Sequence, residues 1–182
     1  PTDPQGVADS VAGNVDIIVH TTIDSADSSW SDALIRDMIA RNVALIPTLK
    51  LGRYELGRRQ VPVTVTEKVV HAAERQLRRF LEAGGQVLFG TDVGYMADFD
   101  PTDEYVLMAR AGLTPMQILA SLTTAPASRW GEAGRRGRIR PGLDADLVVL
   151  DADPAADVRH FAAVKCAFRA GREMFVRAAG PQ

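Results

Sequence analysis

The stretch Val87-Leu88-Phe89-Gly90-Thr91-Asp92 sets three apolar residues in front of a turn that ends on a carboxylate. A short, unbroken apolar run suits a strand covered on both faces, as in a parallel sheet. Two earlier segments have the same form. Val15-Asp16-Ile17-Ile18-Val19 runs into His20, and Val43-Ala44-Leu45-Ile46 runs into Pro47, which lacks the N–H that a central ladder requires. Two of the three strand ends therefore carry groups capable of chemistry, an imidazole and a carboxylate.

Working outward, the segments between these strands read as helices. In 31–41, Leu34, Ile35, Met38 and Ile39 form one apolar stripe at helical spacing. Thr64 and Glu67 have the spacing of a capping box, opening a helix whose Val69, Val70, Ala73, Leu77, Phe80 and Leu81 share a face and which closes at Ala83-Gly84-Gly85. Residues 50–63, with Gly52, Gly57, Tyr54 and several arginines, read as a lengthened loop. Beyond Asp92, 103–111 is helical with Gly112 as its stop, and Thr114-Pro115-Met116-Gln117 opens another helix.

Strands alternating with helices imply parallel strands joined by crossovers, an α/β class. A barrel of eight such units spreads about 250 residues over its circuit, roughly 31 per unit. The interval from His20 to Asp92 fits two units with one long loop. Three strands cannot close a barrel and would leave open edges. The expectation is the last three βα units of a (β/α)8, TIM-like barrel, the remainder lying before Pro1, where no methionine or signal-like segment stands.

From Gly134 onward, glycine, proline and aspartate punctuate short apolar runs. Leu147-Val148-Val149-Leu150 reads as a buried strand, and 164–169 with 173–176 as a hairpin around Ala170-Gly171-Arg172. The domain division expected is 1–133 for the barrel portion and 134–182 for part of a small β-sandwich.

Among 182 residues, 46% are hydrophobic and 24% charged, enough to bury a core without resembling a membrane span or a disordered chain. Lys and Arg number 21 against 23 Asp and Glu, with the signs interspersed. That demotes nucleic acid and anionic membranes as partners. The single cysteine, Cys166, cannot form an internal disulfide; the redox compartment stays open, with the cytoplasm favoured. No GxSxG elbow or phosphate-cradling loop is present.

The rim at the C-terminal strand ends is where βα barrels build active sites. His20 could ligate a metal and Asp92 could both ligate and exchange protons with water. Taken singly, each admits a plainer role, a satisfied polar residue for His20 and a turn opener for Asp92. Tyr54 and Tyr95 are expected in loops leaving the rim, within reach of substrate. His71, opposite its helix's apolar stripe, and His160 read as surface residues, and Cys166 as a structural thiol.

The strings 15–20, Leu45-Ile46-Pro47-Thr48-Leu49, 87–92, 111–127 and Gly137-Arg138-Ile139-Arg140-Pro141-Gly142-Leu143-Asp144-Ala145-Asp146-Leu147-Val148-Val149-Leu150-Asp151 together resemble the C-terminal half of the metal-dependent amidohydrolase superfamily. The likeness is greatest to its imidazolonepropionase-like and Xaa-Pro dipeptidase-like branch. The resemblance implies a barrel with a composite β-sandwich, a divalent metal, zinc by expectation, His20 as the sixth-strand ligand, and Asp92 as the eighth-strand ligand and proton shuttle. The family's first-strand His-x-His, fourth-strand lysine and fifth-strand histidine have no counterpart in this sequence.

The function so implied is hydrolysis of a C–N amide bond in an N-acyl amino acid or dipeptide-like substrate, completed by an N-terminal part of the same protein, with a homo-oligomer as a further expectation. Deamination of a cyclic amidine, lactam opening, and a non-catalytic remnant are the alternatives.

Overall fold

The computed structural model describes residues 3–20 and 29–178. The chain opens on α1 (Pro4–Ala12), where Asp3 caps the first turn by accepting from the Gly6 N–H and Pro4 supplies a preset φ. β1 (Ile17–Val19), α2 (Asp32–Ala40) and β2 (Ala44–Ile46) follow, with Ser31 capping α2. β1 and β2 pair in parallel, Ile18 opposite Leu45 and Val19 opposite Ile46.

The third apolar segment is shorter than its sequence implies. Val87 makes one parallel bridge to Leu45, with Leu45 N–H donating to the Gln86 carbonyl and Leu88 N–H to the Leu45 carbonyl. The ladder stops there because Phe89 turns its N–H to the Ser121 carbonyl. Gly90 explains how close the chain still lies to β2: a Cβ at this position would stand 2.5 Å from Ile46 Cγ2.

The expected loop at 50–63 is mostly α3 (Leu49–Arg58). Its local signals are poor, since two interior glycines cost about 1 kcal/mol each against alanine and no side chain of its own caps it. Tertiary partners form it instead: Leu49 and Leu51 are buried, and a carboxylate from a distant helix takes its first N–H groups. Tyr54 is therefore on a helix and not in a loop.

α4 (Val63–Glu82) starts at Pro62, so Thr64 lies inside the helix and the expected Thr64/Glu67 capping box does not form. Pro62 takes the N-cap position and no side chain caps the first turn. The apolar face holds: Val70, Ala73, Leu77 and Phe80 are buried. Full burial of each large side chain contributes roughly 1.5–3 kcal/mol.

α5 (Thr102–Arg110), α6 (Pro115–Leu122) and α7 (Thr124–Arg129) complete the helical part. The capping box anticipated at Thr114 and Gln117 is present in full. Core contacts gather between the parallel segments and the inner faces of α1, α2, α4 and α5, with Trp30 edge-on to Phe80 at 6.4 Å between centroids.

β3 (Leu147–Leu150), β4 (Val164–Arg169) and β5 (Arg172–Val176) form a separate antiparallel sheet in that order. Ala170 and Gly171 both have positive φ, as a two-residue hairpin turn demands. The sheet is tied to the helices through a 3-10 turn, Val158–Ala162, whose Phe161 packs on Tyr105 at 5.3 Å. Leu147–Leu150 differs from its expected burial: Val148 is 61% exposed, as are Met174, Phe175 and Val176 in varying degree. Its apolar run reflects a sheet with no cover over these side chains among the described residues.

Candidate active-site rim

Parallel pairing puts the C-terminal ends of β1, β2 and the Val87–Leu88 segment on one edge, and three residues there share an unusual backbone. His20 has φ 65°, Thr48 has φ 46° and Asp92 has φ 60°. None is glycine, and a β-branched residue such as threonine is a genuine outlier in the left-handed region. Strain of this kind costs on the order of 1–3 kcal/mol per residue and gathers at functional sites.

His20 completes the β1 ladder by donating its N–H to the Ile46 carbonyl at 3.0 Å, then leaves the sheet. Its half-buried ring sets Nδ1 3.0 Å from Thr48 Oγ1. Asp92 opens a tight turn across 93–96, its carbonyl accepting from the Met96 N–H. Among the described residues no hydrogen bond or ion pair engages the Asp92 carboxylate or His20 Nε2. Residues 21–28, which follow His20, lie outside the described residues.

α3 underlies this edge. Thr48 occupies its N-cap position and is almost wholly buried, but the hydroxyl makes no cap bond. Glu104 on α5 does that work from 55 residues away: one carboxylate oxygen accepts from Leu49 N–H at 3.0 Å and the other from Lys50 N–H at 2.7 Å. Glu104 is completely buried, and this burial pushes its carboxyl up to about 7 against the pull of the two N–H donors and Lys50.

The Lys50 ammonium, itself buried, reaches Asp98 Oδ2 at 2.7 Å and also donates to the Asp100 carbonyl. The bond from Lys50, more than its charge alone, holds the Asp98 carboxyl below its ordinary range. Tyr95, in the turn after Asp92, donates its hydroxyl to Glu55 Oε1 at 2.9 Å, and Arg58 donates to the same hydroxyl. The loop that leaves Asp92 is thus fastened to α3 at both Tyr95 and Asp98. Tyr54 lies one residue before Glu55 on the same helix, half-buried.

The remaining candidates stand away from this edge. His71 bonds through Nδ1 to Glu74 on its own helix, beside Arg110 of α5. His160 donates Nδ1–H to the Asp153 carbonyl. Cys166 is half-buried in β4. Glu104 and Thr48 were not singled out by sequence reasoning; the signal available was only a carboxylate in a helix's first turn, an ordinary surface position.

An imidazole nitrogen and a carboxylate are donors suited to zinc and similar borderline cations. Among the described residues, no group of three or more His, Cys, Asp or Glu gathers to hold a metal.

Comparison with known sequences gives the rim its context. The sequence profile of the amidohydrolase family matches residues 4–174. The chain belongs to the amidohydrolase family. Over 84 residues it is 33% identical to ochratoxinase of Aspergillus niger, an alignment covering 44% of this chain and 17% of that protein. Among solved structures, a Xaa-Pro dipeptidase with methionine bound in its active site superposes with a TM-score of 0.80 at 23% identity, over 95% of this chain and 43% of the other. A prolidase complexed with N-methylphosphonate-L-proline gives a TM-score of 0.78 at 23% identity, over 96% and 44%. At these identities the structures show a shared α/β fold, the fold of amidohydrolases. The chain spans less than half the length of each of these relatives. No helix among the described residues is long and apolar enough to cross a membrane.

Proposed function

We propose that this amidohydrolase chain contributes the last three βα units of a (β/α)8 barrel to an enzyme that hydrolyses the C–N bond of an N-acyl amino acid or dipeptide-like amide. One observation carries the reading: His20 and Asp92 sit on a common strand edge in left-handed backbone, each with an uncommitted donor atom among the described residues. The dipeptidase and prolidase likenesses, and ochratoxinase by sequence, support an amide as the substrate class.

In this reading His20 and Asp92 hold a divalent cation, zinc by donor type, with further ligands from an N-terminal part of the same protein. The bound cation supplies Lewis acidity toward the scissile carbonyl and lowers the pKa of water. Asp92 accepts the proton of the attacking water and returns it to the departing amine, a sequence one carboxylate can perform because its proton load changes along the reaction. Tyr95 and Tyr54, carried on and beside α3, face incoming substrate in this proposal. The edge of β1, unpaired among the described residues, and the exposed Val148, Met174 and Phe175 of the C-terminal sheet support the same partner, the remainder of the barrel and sandwich. The boundary between the two portions falls near residue 133.

The test is a panel of N-acyl amino acids, dipeptides and cyclic amidines offered to the full-length protein, with and without a chelator. Chelator-sensitive release of free amino acid, lost in Asp92→Ala with the fold retained, is the expected result. Undiminished turnover by Asp92→Ala rejects the assignment, and ammonia release from the amidines alone moves the activity to deamination.

A further inference from the structure

We propose that Thr48 is a positioning residue for His20: its buried hydroxyl accepts the Nδ1 proton and holds the imidazole in the tautomer whose Nε2 lone pair is free. The argument begins with a hydroxyl that is not where a helix would put it. A threonine at an N-cap ordinarily turns its oxygen back onto the N–H groups of the first turn. Thr48 instead adopts φ 46° and ψ 49°, makes no cap bond, and meets the His20 ring at 3.0 Å.

Two features make this arrangement possible. Glu104 relieves Thr48 of capping by taking the Leu49 and Lys50 N–H groups, so the orphaned donors of α3 cost nothing further. Burial of Thr48 to 2% exposure keeps water from competing for the hydroxyl. The left-handed turn is thereby held by α5 from one side and answered by His20 on the other. The two imidazole nitrogens are distinct, and the bond made by one determines which lone pair the other offers. Partners of this kind around metal-ligating histidines alter metal affinity about 10- to 100-fold when removed.

The inference rests on the metal reading of His20 only for its affinity arm, so two measurements separate the ideas. In metal-free full-length protein labelled with 15N-histidine, at a pH where the rings are neutral, two-bond 15N–1H spectra report the tautomer of each histidine, and His20→Gln assigns the signal. The expected result is a proton on Nδ1 of His20, lost to a tautomer mixture in Thr48→Val and restored in Thr48→Ser. A proton on Nε2 in the unmodified protein overturns the proposal, and this spectrum decides even if Thr48→Val fails to fold. Zinc titrated against a chromophoric chelator should bind about 10- to 100-fold more weakly to Thr48→Val, with Thr48→Ser keeping most of the affinity. Equal zinc affinity in Thr48→Val and the unmodified protein also overturns it. An unmodified protein that takes up no zinc yet carries its proton on Nδ1 sinks the metal reading and supports the Thr48 assignment.

Discussion

Glu104 makes a pH dependence that can be worked from the structure. Its carboxyl ordinarily titrates at 4.5, and complete burial raises this to about 7 in the folded chain. A group whose proton affinity rises on folding adds stability below its unfolded pKa and loses it as pH climbs through the folded value. The contribution is therefore full below about pH 4.5 and gone above about 7. At 1.36 kcal/mol for each tenfold change in proton affinity, the whole span is worth roughly 3 kcal/mol. The assay is a comparison: urea unfolding of the full-length protein at pH 5, 6, 7 and 8, alongside Glu104→Gln. The variant loses one acceptor facing the α3 N–H groups and should be less stable throughout. Its fall in stability between pH 5 and 8 should be smaller than that of the unmodified protein by up to the same 3 kcal/mol or so. If Glu104→Gln keeps the full slope, the buried carboxyl is not what the pH dependence reports and the account of α3 capping fails with it.

Other outcomes follow from the rim and its supports. Asp92→Asn in the full-length enzyme should lower kcat by about 10²- to 10⁴-fold, the span typical of a lost proton-transfer group, with no fall in urea midpoint. Gly90→Ala should cost about 1–3 kcal/mol because the added methyl meets Ile46 Cγ2; a double-mutant cycle with Ile46→Ala should show coupling between the two sites, and additivity would refute the close approach. Tyr95→Phe removes the bond to Glu55 at an exposed position, so its stability cost should stay below about 1 kcal/mol while KM for the amide rises; an unchanged KM removes Tyr95 from the substrate contacts.

Much of the fold was legible because its signals are local. Apolar runs at Val15–Val19 and Val43–Ile46, the stripe of Leu34, Ile35, Met38 and Ile39 and the Thr114/Gln117 box each declare an element within a few residues, and the structure has them all. The failures share the opposite property. α3 depends on a carboxylate 55 residues away, and no window over Leu49–Arg58 contains that information. The third strand shrinks to one bridge because Phe89 finds Ser121 as a partner, another long-range contact. Of the rim, the sequence shows His20 and Asp92 by their position after apolar strands, and hides Thr48 and Glu104, whose importance arises only from what they touch. Exposure of Val148 was unreadable for a related reason: an apolar strand looks the same whether or not anything lies over it.

The three left-handed side chains at positions 20, 48 and 92 set this chain's evolvability against its endurance. Glycine would sit in all three bends with less protest, and at position 48 asparagine would too, since threonine is β-branched. A laboratory selection for heat resistance alone should therefore discover these three positions early, accumulating small or amide residues there and hardening the scaffold at the expense of the proposed site.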